Sequence, residues 1–160
     1  MTLSINDLQD QTLHINICAF DELTPKQLYD ILYLRNRVFV VEQQAIYNDT
    51  DYADLQSRHL FLYEDETLVS YIRLIPSGIK YEESSIGRVV THPDYRFKGY
   101  SRILMIEGMK LEKQLYPESI GIRISAQSYL QKFYGSLGFV VCSEEYLEDG
   151  LPHVEMLFTR

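Results

Sequence analysis

Ile86-Gly87-Arg88-Val89-Val90-Thr91-His92-Pro93-Asp94-Tyr95-Arg96-Phe97-Lys98-Gly99-Tyr100-Ser101 runs from a β-rich segment, past a proline, into a basic loop that opens a long helix. Residues Ser85 to Thr91 read as a strand, Pro93 stops it, and Gly99 opens a helix that continues to about Tyr116. A helix start offers several backbone N–H groups without internal partners and a partial positive charge, so a loop entering it through small residues can grip a phosphate. Arg96, Lys98 and Arg102 add full charges at the same place, and Gly99 lets the backbone come close to a ligand. Leu104, Gly108, Leu111 and Leu115 line one side of the helix; Gly108 lowers helix stability relative to alanine, which predicts a close backbone contact there.

Upstream, alternation from about Thr12 to Ala19 predicts a strand, after a loosely ordered segment over 1–10. Thr24-Pro25-Lys26-Gln27 then supplies a capping hydroxyl, a proline at the first helical position and a capping-box glutamine. Leu28, Ile31, Leu32, Arg35, Val38 and Phe39 share the face of the helix that follows, so Arg35 is expected to be buried against a carboxylate such as Asp51 or Asp54. Residues Glu42 to Ser57 lack a period and read as a loop or broken helix. His59–Tyr63 and Leu68–Ile75 form a strand pair around Glu64-Asp65-Glu66-Thr67. Downstream, Ser119–Ser125 reads as a strand and Gln127–Leu137 as a short helix capped by Gly138, with strands at Phe139–Cys142 and Val154–Thr159. This order predicts one α/β domain over residues 1–160, a mixed, mostly antiparallel sheet of six or seven strands with helices on both faces.

The 160 residues suffice for one core, and 46% hydrophobic with 24% charged residues is the balance of a folded protein. No apolar run spans a bilayer and no signal peptide opens the chain, which predicts a cytoplasmic protein that uses no membrane. The net charge of −8 argues against nucleic acid as a partner and suits a cationic one. Seven acids against one base lie between Glu42 and Glu66, whereas Arg88 to Lys113 carries six bases and three acids. The basic island therefore coincides with the loop quoted above. Cys18 and Cys142 are far apart in strand-like sequence and are expected to be buried free thiols, with no metal site.

The loop Arg96-Phe97-Lys98-Gly99-Tyr100-Ser101 resembles the acetyl-CoA loop of GNAT acyltransferases, Gln/Arg-x-x-Gly-x-Gly/Ala at a strand-to-helix turn, with Ser101 in place of the last small residue and Phe97 where many members carry glycine. The segment from Ala126 to Phe139 resembles that family's later strand-helix-strand piece: Tyr134 takes the position of its tyrosine before Gly138-Phe139, and Gln127 that of an asparagine that helps hold the cofactor. Leu34-Arg35 with Val38-Phe39-Val40-Val41-Glu42-Gln43, then Asp51, Asp54 and His59-Leu60, and finally Glu148-Asp149-Gly150-Leu151-Pro152-His153 with Met156, are similar to the ElaA-like branch.

That resemblance implies the GNAT fold and acetyl-CoA as co-substrate, held by Val89, Val90, Thr91, Arg96, Phe97, Lys98, Gly99, Tyr100, Ser101 and Gln127. It implies N-acetyl transfer to a primary amine of a small molecule or peptide, with Tyr134 as general acid toward the leaving thiolate and a backbone N–H near Val89-Val90-Thr91 facing the oxyanion. A lysine-like amine with pKa ~10.4 must lose a proton before attack. Glu42 is a candidate base, with His59 and His153 as competitors. Asp51, Asp54, His59 and His153 are candidate acceptor-binding residues, an acidic entrance suiting a cationic amine. An acyl-homoserine-lactone synthase and a non-catalytic acyl-CoA-binding module on the same fold are alternatives, and paired edge strands allow a homodimer.

Overall fold

The computed structural model describes residues 13–160, so the segment 1–10 and the start of the first strand at Thr12 lie outside the described residues. The elements are β1 (Leu13–Ala19), α1 (Pro25–Arg35), β2 (Arg58–Glu64), β3 (Thr67–Ile75), β4 (Ser84–Thr91), α2 (Tyr100–Leu115), β5 (Gly121–Gln127), α3 (Gln131–Gly135), β6 (Val140–Val141), β7 (Tyr146–Glu148) and β8 (Leu151–Thr159). They build one eight-stranded sheet in the order β1-β2-β3-β4-β5-β8-β6, with β7 also paired to β8. Every pairing is antiparallel except β4 with β5. The mixed α/β architecture is the one expected, with β7 as the additional strand. Tyr146-Leu147-Glu148 is too short to show alternation, and only its pairing with Leu151–His153 makes it a strand.

Strand alternation sorts the core. Leu60, Leu62, Ile72 and Leu74 point to the side where α2 brings Ile103, Leu104 and Met105, while Phe61, Tyr71 and Val90 meet Ile31, Leu34 and Val38 of α1 and its continuation on the other. A methyl group on Gly108 would lie 2.8 Å from Ile72 Cδ1, so the bare backbone is what lets α2 sit down on β3. Thr24 Oγ1 accepts from the Gln27 amide at 3.1 Å while Gln27 Oε1 accepts from the Thr24 amide at 2.9 Å, the reciprocal cap expected for α1. Both cysteines are free thiols; Cys18 is half-buried and Cys142 exposed, the latter because it follows the two-residue edge strand β6 rather than lying within a covered one.

Two irregularities shape the centre. Helix α1 continues as a π-helical segment over Asn36–Glu42, where the Gln43 amide reaches back to the Val38 carbonyl, and this wider coil delivers Phe39 and Gln43 to the sheet. Strand β4 carries a bulge opposite β3: Arg73 pairs with Gly87 and Tyr71 with Val90, leaving one extra residue, and Arg88 takes φ 52°. Strands β4 and β5 then pair only at Ser84–Ile122 and Ser85–Arg123, and the rest of β4 diverges from β5.

Candidate active site

The divergence of β4 from β5 opens a cleft through the sheet, entered from both sides. One cavity of about 510 Å³ lies against the α2 loop, and a second of about 420 Å³ lies against the β7–β8 hairpin. Phe39, Gln43, Val89, Gln127, Leu130 and Tyr134 line both and so mark where the two meet. Gln127 Nε2 donates to Gln43 Oε1 at 3.1 Å, tying the end of β5 to the π-helical segment across this junction. Gln127 therefore closes β5 instead of starting a helix, and the helix that follows is reduced to a 3₁₀ turn and the five residues of α3.

The larger cavity is framed by the basic loop. Phe97 and Gly99 take φ 67° and 82°, which turns the chain so that α2 begins at Tyr100. The Ile103 amide is the one that closes the first turn on the Gly99 carbonyl, which leaves the amides just ahead of it free of the helix ladder, as an anion site requires. Arg96, Phe97, Gly99, Tyr100, Ser101 and Arg102 line the cavity together with Val89, Val90 and Thr91. Ser101 Oγ lies 2.6 Å from Thr91 Oγ1, so the serine replacing a smaller residue is absorbed by β4 and does not fill the cradle. Lys98 is turned away: its Nζ lies 3.3 Å from Glu64 Oε1 and 4.8 Å from the Tyr95 ring centroid. Arg102, which donates to Ser136 Oγ at 2.6 Å, stands at the wall instead. Glu42 lies on this side too, exposed and 2.7 Å from Arg96 Nη2, and does not line the smaller cavity.

Tyr134 is held by edge-on packing against Phe133 and Phe139. Its hydroxyl makes no hydrogen bond with any described residue, and burial, with a smaller contribution from Tyr129, pushes its pKa up, so the phenol stays protonated at neutral pH. A buried proton donor without a protein acceptor, at the meeting point of two cavities, is positioned to serve a ligand.

The smaller cavity carries the titratable groups. His153 Nδ1 is 2.7 Å from the Leu151 carbonyl oxygen, which only accepts, so this nitrogen bears a hydrogen. Nε2 of the same ring is 3.4 Å from Glu148 Oε2, a contact that is attractive only when one proton lies on the imidazole nitrogen or on the carboxylate. Ser125 Oγ donates to the same Glu148 oxygen at 2.9 Å and lies 2.5 Å from the Tyr146 hydroxyl, while the Tyr146 ring stacks on His153. Glu148 was legible as the start of the ElaA-like segment and Ser125 as the end of a strand, but not as partners, because β7, which aligns Glu148, is itself invisible to periodicity.

Two other expected acceptor residues lie elsewhere. Asp54 and His59 line neither cavity; they belong to a buried ionic layer between the loop after α1 and the sheet. Arg35 meets Asp49 and Asp54, each at 2.7 Å, and Arg73 holds Asp51 with two bonds of 2.6 Å and Asp54 at 2.9 Å. Arg88 Nε lies 2.8 Å from Asp49 Oδ1. His59 Nε2 donates to the Asp54 carbonyl at 2.9 Å, which fixes its tautomer, and Nδ1 accepts from the Tyr71 hydroxyl at 2.7 Å. Three arginines thus neutralise three aspartates, and the layer moors the acidic loop over the cleft. Asp51 does border the smaller cavity, with its oxygens committed to Arg73.

A family model described as "Acetyltransferase (GNAT) domain" matches residues 21–160. A UPF0039 protein of Schizosaccharomyces pombe is 47% identical over 138 residues, covering 86% of this chain and 91% of its own. Protein ElaA of Escherichia coli is 38% identical over 137 residues, covering 84% and 89%, and its crystal structure superposes with a TM-score of 0.84 over 91% of this chain and 98% of that one. The crystal structure of an acyl-CoA N-acyltransferase from Pseudomonas aeruginosa gives the same TM-score at 36% identity, covering 91% and 99%. On these matches the chain belongs to the GNAT acetyltransferases, in the ElaA-like branch, and is an acyltransferase.

Proposed function

We propose that this protein transfers an acetyl group from acetyl-CoA to a primary amine by direct attack, and the observation that carries the reading is the pair of cavities meeting at Tyr134. The phosphates of the cofactor belong at the Arg96–Ser101 loop, where free amides, the helix start and Arg96 and Arg102 supply positive charge. The thioester then reaches inward between β4 and β5 to the junction at Gln127. A backbone N–H on Val89–Thr91, on the side of β4 that β5 has left, faces the developing oxyanion.

The amine enters from the smaller cavity. Its ammonium proton passes to the His153–Glu148 pair, whose geometry has room for one proton and which we place in the role of base in preference to Glu42. The nitrogen attacks the carbonyl carbon, the C–N bond forms and the C–S bond breaks. The sulfur takes a proton from Tyr134, which regains through water the second proton lost by the nitrogen as it becomes the amide, so that ammonium and acetyl-CoA become amide, CoA thiol and the one proton released from His153–Glu148. Thiol release measured with acetyl-CoA and a panel of amines tests the reading. Tyr134→Phe is expected to lower kcat by about 10²-fold or more while the CoA dissociation constant stays within about twofold. An unchanged kcat removes Tyr134 from the chemistry.

A further inference from the structure

The two walls of the smaller cavity carry opposite charge. The wall belonging to β4 and the loop before it presents Lys80 and Arg88, and the wall belonging to the β7–β8 hairpin presents Glu148, Asp149 and His153. These groups do not neutralise one another. Lys80 Nζ makes no ion pair or hydrogen bond with any described residue and lies 5.4 Å from the centroid of the Tyr81 ring. Arg88 Nη2 donates to the Asp49 carbonyl at 2.8 Å and lies 3.4 Å from Asp51 Oδ2; its Nε, though 2.8 Å from Asp49 Oδ1, makes no hydrogen bond, and its Nη1 donates to no described residue. Asp149, at the turn of the hairpin with φ 50°, has no ion pair among the described residues.

We propose that the acceptor is a free amino acid, an amine that also carries a carboxylate, and that Lys80 is the residue that selects it. The proposal rests on the acetyl-transfer reading above. The hairpin wall receives the ammonium and passes its proton to His153–Glu148, and the carboxylate spans the cleft to Lys80 and the free edge of Arg88. Each end of the zwitterion then meets the opposite charge. A diamine or polyamine would set its second ammonium against Lys80 and Arg88, where like charges repel. The acidic balance of the whole chain favours cations, but the field inside this cavity is divided, and it is the cavity that sorts acceptors.

The test compares amino acids with their carboxamides and with the amines left by removal of the carboxyl group: phenylalanine, phenylalaninamide and phenethylamine; lysine, lysinamide and cadaverine. Thiol release gives kcat/KM for each. The expected result is at least a tenfold preference for the free amino acid within each set, lost in Lys80→Met and inverted in Lys80→Glu. CoA affinity should be unchanged in both variants, since Lys80 is an exposed loop residue outside the cofactor cavity. If the carboxyl-free members react as well as or better than the amino acids in the unaltered protein, or if Lys80→Glu leaves the ranking untouched, the inference is overturned while acetyl transfer stands. If no member of any set is acetylated although CoA binds, the acetyl-transfer reading falls and this one falls with it.

Discussion

At single residues the structure separates strain that serves the site from strain that does not. Phe97 takes φ 67° with its ring fully exposed, a conformation that disfavours a side chain and a placement that returns no burial. Phe97→Gly is therefore expected to raise stability by about 1 kcal/mol, seen as a higher urea midpoint with an unchanged slope. His153 and Glu148 act as a unit in the proposed chemistry. His153→Gln and Glu148→Gln should each lower kcat/KM by about 10²-fold, and the double variant should be no worse than about threefold below the weaker single one, because the second change removes a partner already lost. A product of the two single losses would show that they work independently. His59, which invited a functional role by its type, is held neutral by burial against the opposing pull of Asp54, with one nitrogen donating and the other accepting.

Among elements, the loop after α1 depends on charge where the helices depend on shape. Asp54 accepts from both Arg35 and Arg73, each almost wholly buried, so Asp54→Ala takes a charged partner from each and leaves three arginines facing the two remaining aspartates, Asp49 and Asp51. We expect a loss of about 3–5 kcal/mol in urea unfolding, well beyond that of a surface carboxylate. Helix α2 gives the opposite case. Gly108→Ala gains about 1 kcal/mol of helix propensity and forces the tip of the buried Ile72 aside. Overpacking of this kind costs about 1–3 kcal/mol, so the net result is a lower melting temperature despite the better helix former. The contact that Gly108 implies was readable from the sequence, since a glycine inside an otherwise regular helix has few other reasons to be there. Its partner was not, because the sequence carries no record of which strand lies beneath.

For the whole molecule, the ionic layer sets the acid limit of the fold. Loss of water alone would raise the Asp51 and Asp54 pKa values; hydrogen bonds and charge from Arg73, and from Arg35 at Asp54, outweigh it and hold Asp51 at about 2 and Asp54 below the usual range. The unfolded chain then binds more protons than the folded one as pH falls below the ordinary carboxylate value of about 3.9. This contribution is complete above that value and is lost as pH drops through about 2 for Asp51. His59 adds a smaller loss that begins below about 6.5, because its lowered pKa means that folding excludes a proton there. Chemical denaturation across pH 2–8 should show a shallow decline below about 6.5 and a steep one between about 4 and 2. The Asp54→Ala variant should have a flatter acid limb.

The sequence by itself determined the kind of fold, the loop that opens α2, and Tyr134, because these rest on local physics: alternation, capping, a glycine where the chain must turn, and two segments whose order matches a known family. It placed Arg35 against carboxylates because an arginine on an apolar helical face must find them. What tertiary structure alone decided was how the polar residues are divided between scaffold and cleft. Asp51, Asp54, His59 and His153 look alike in a sequence, yet Asp54 and His59 lie in the mooring layer and His153 lies beside Glu148 in the smaller cavity. That division is set by the bulge in β4, the separation of β4 from β5 and the β7–β8 pairing, all long-range consequences of strands far apart in the chain. A carboxylate or an imidazole acquires its role from what stands within a few ångströms of it, and that distance is fixed only once the sheet has closed.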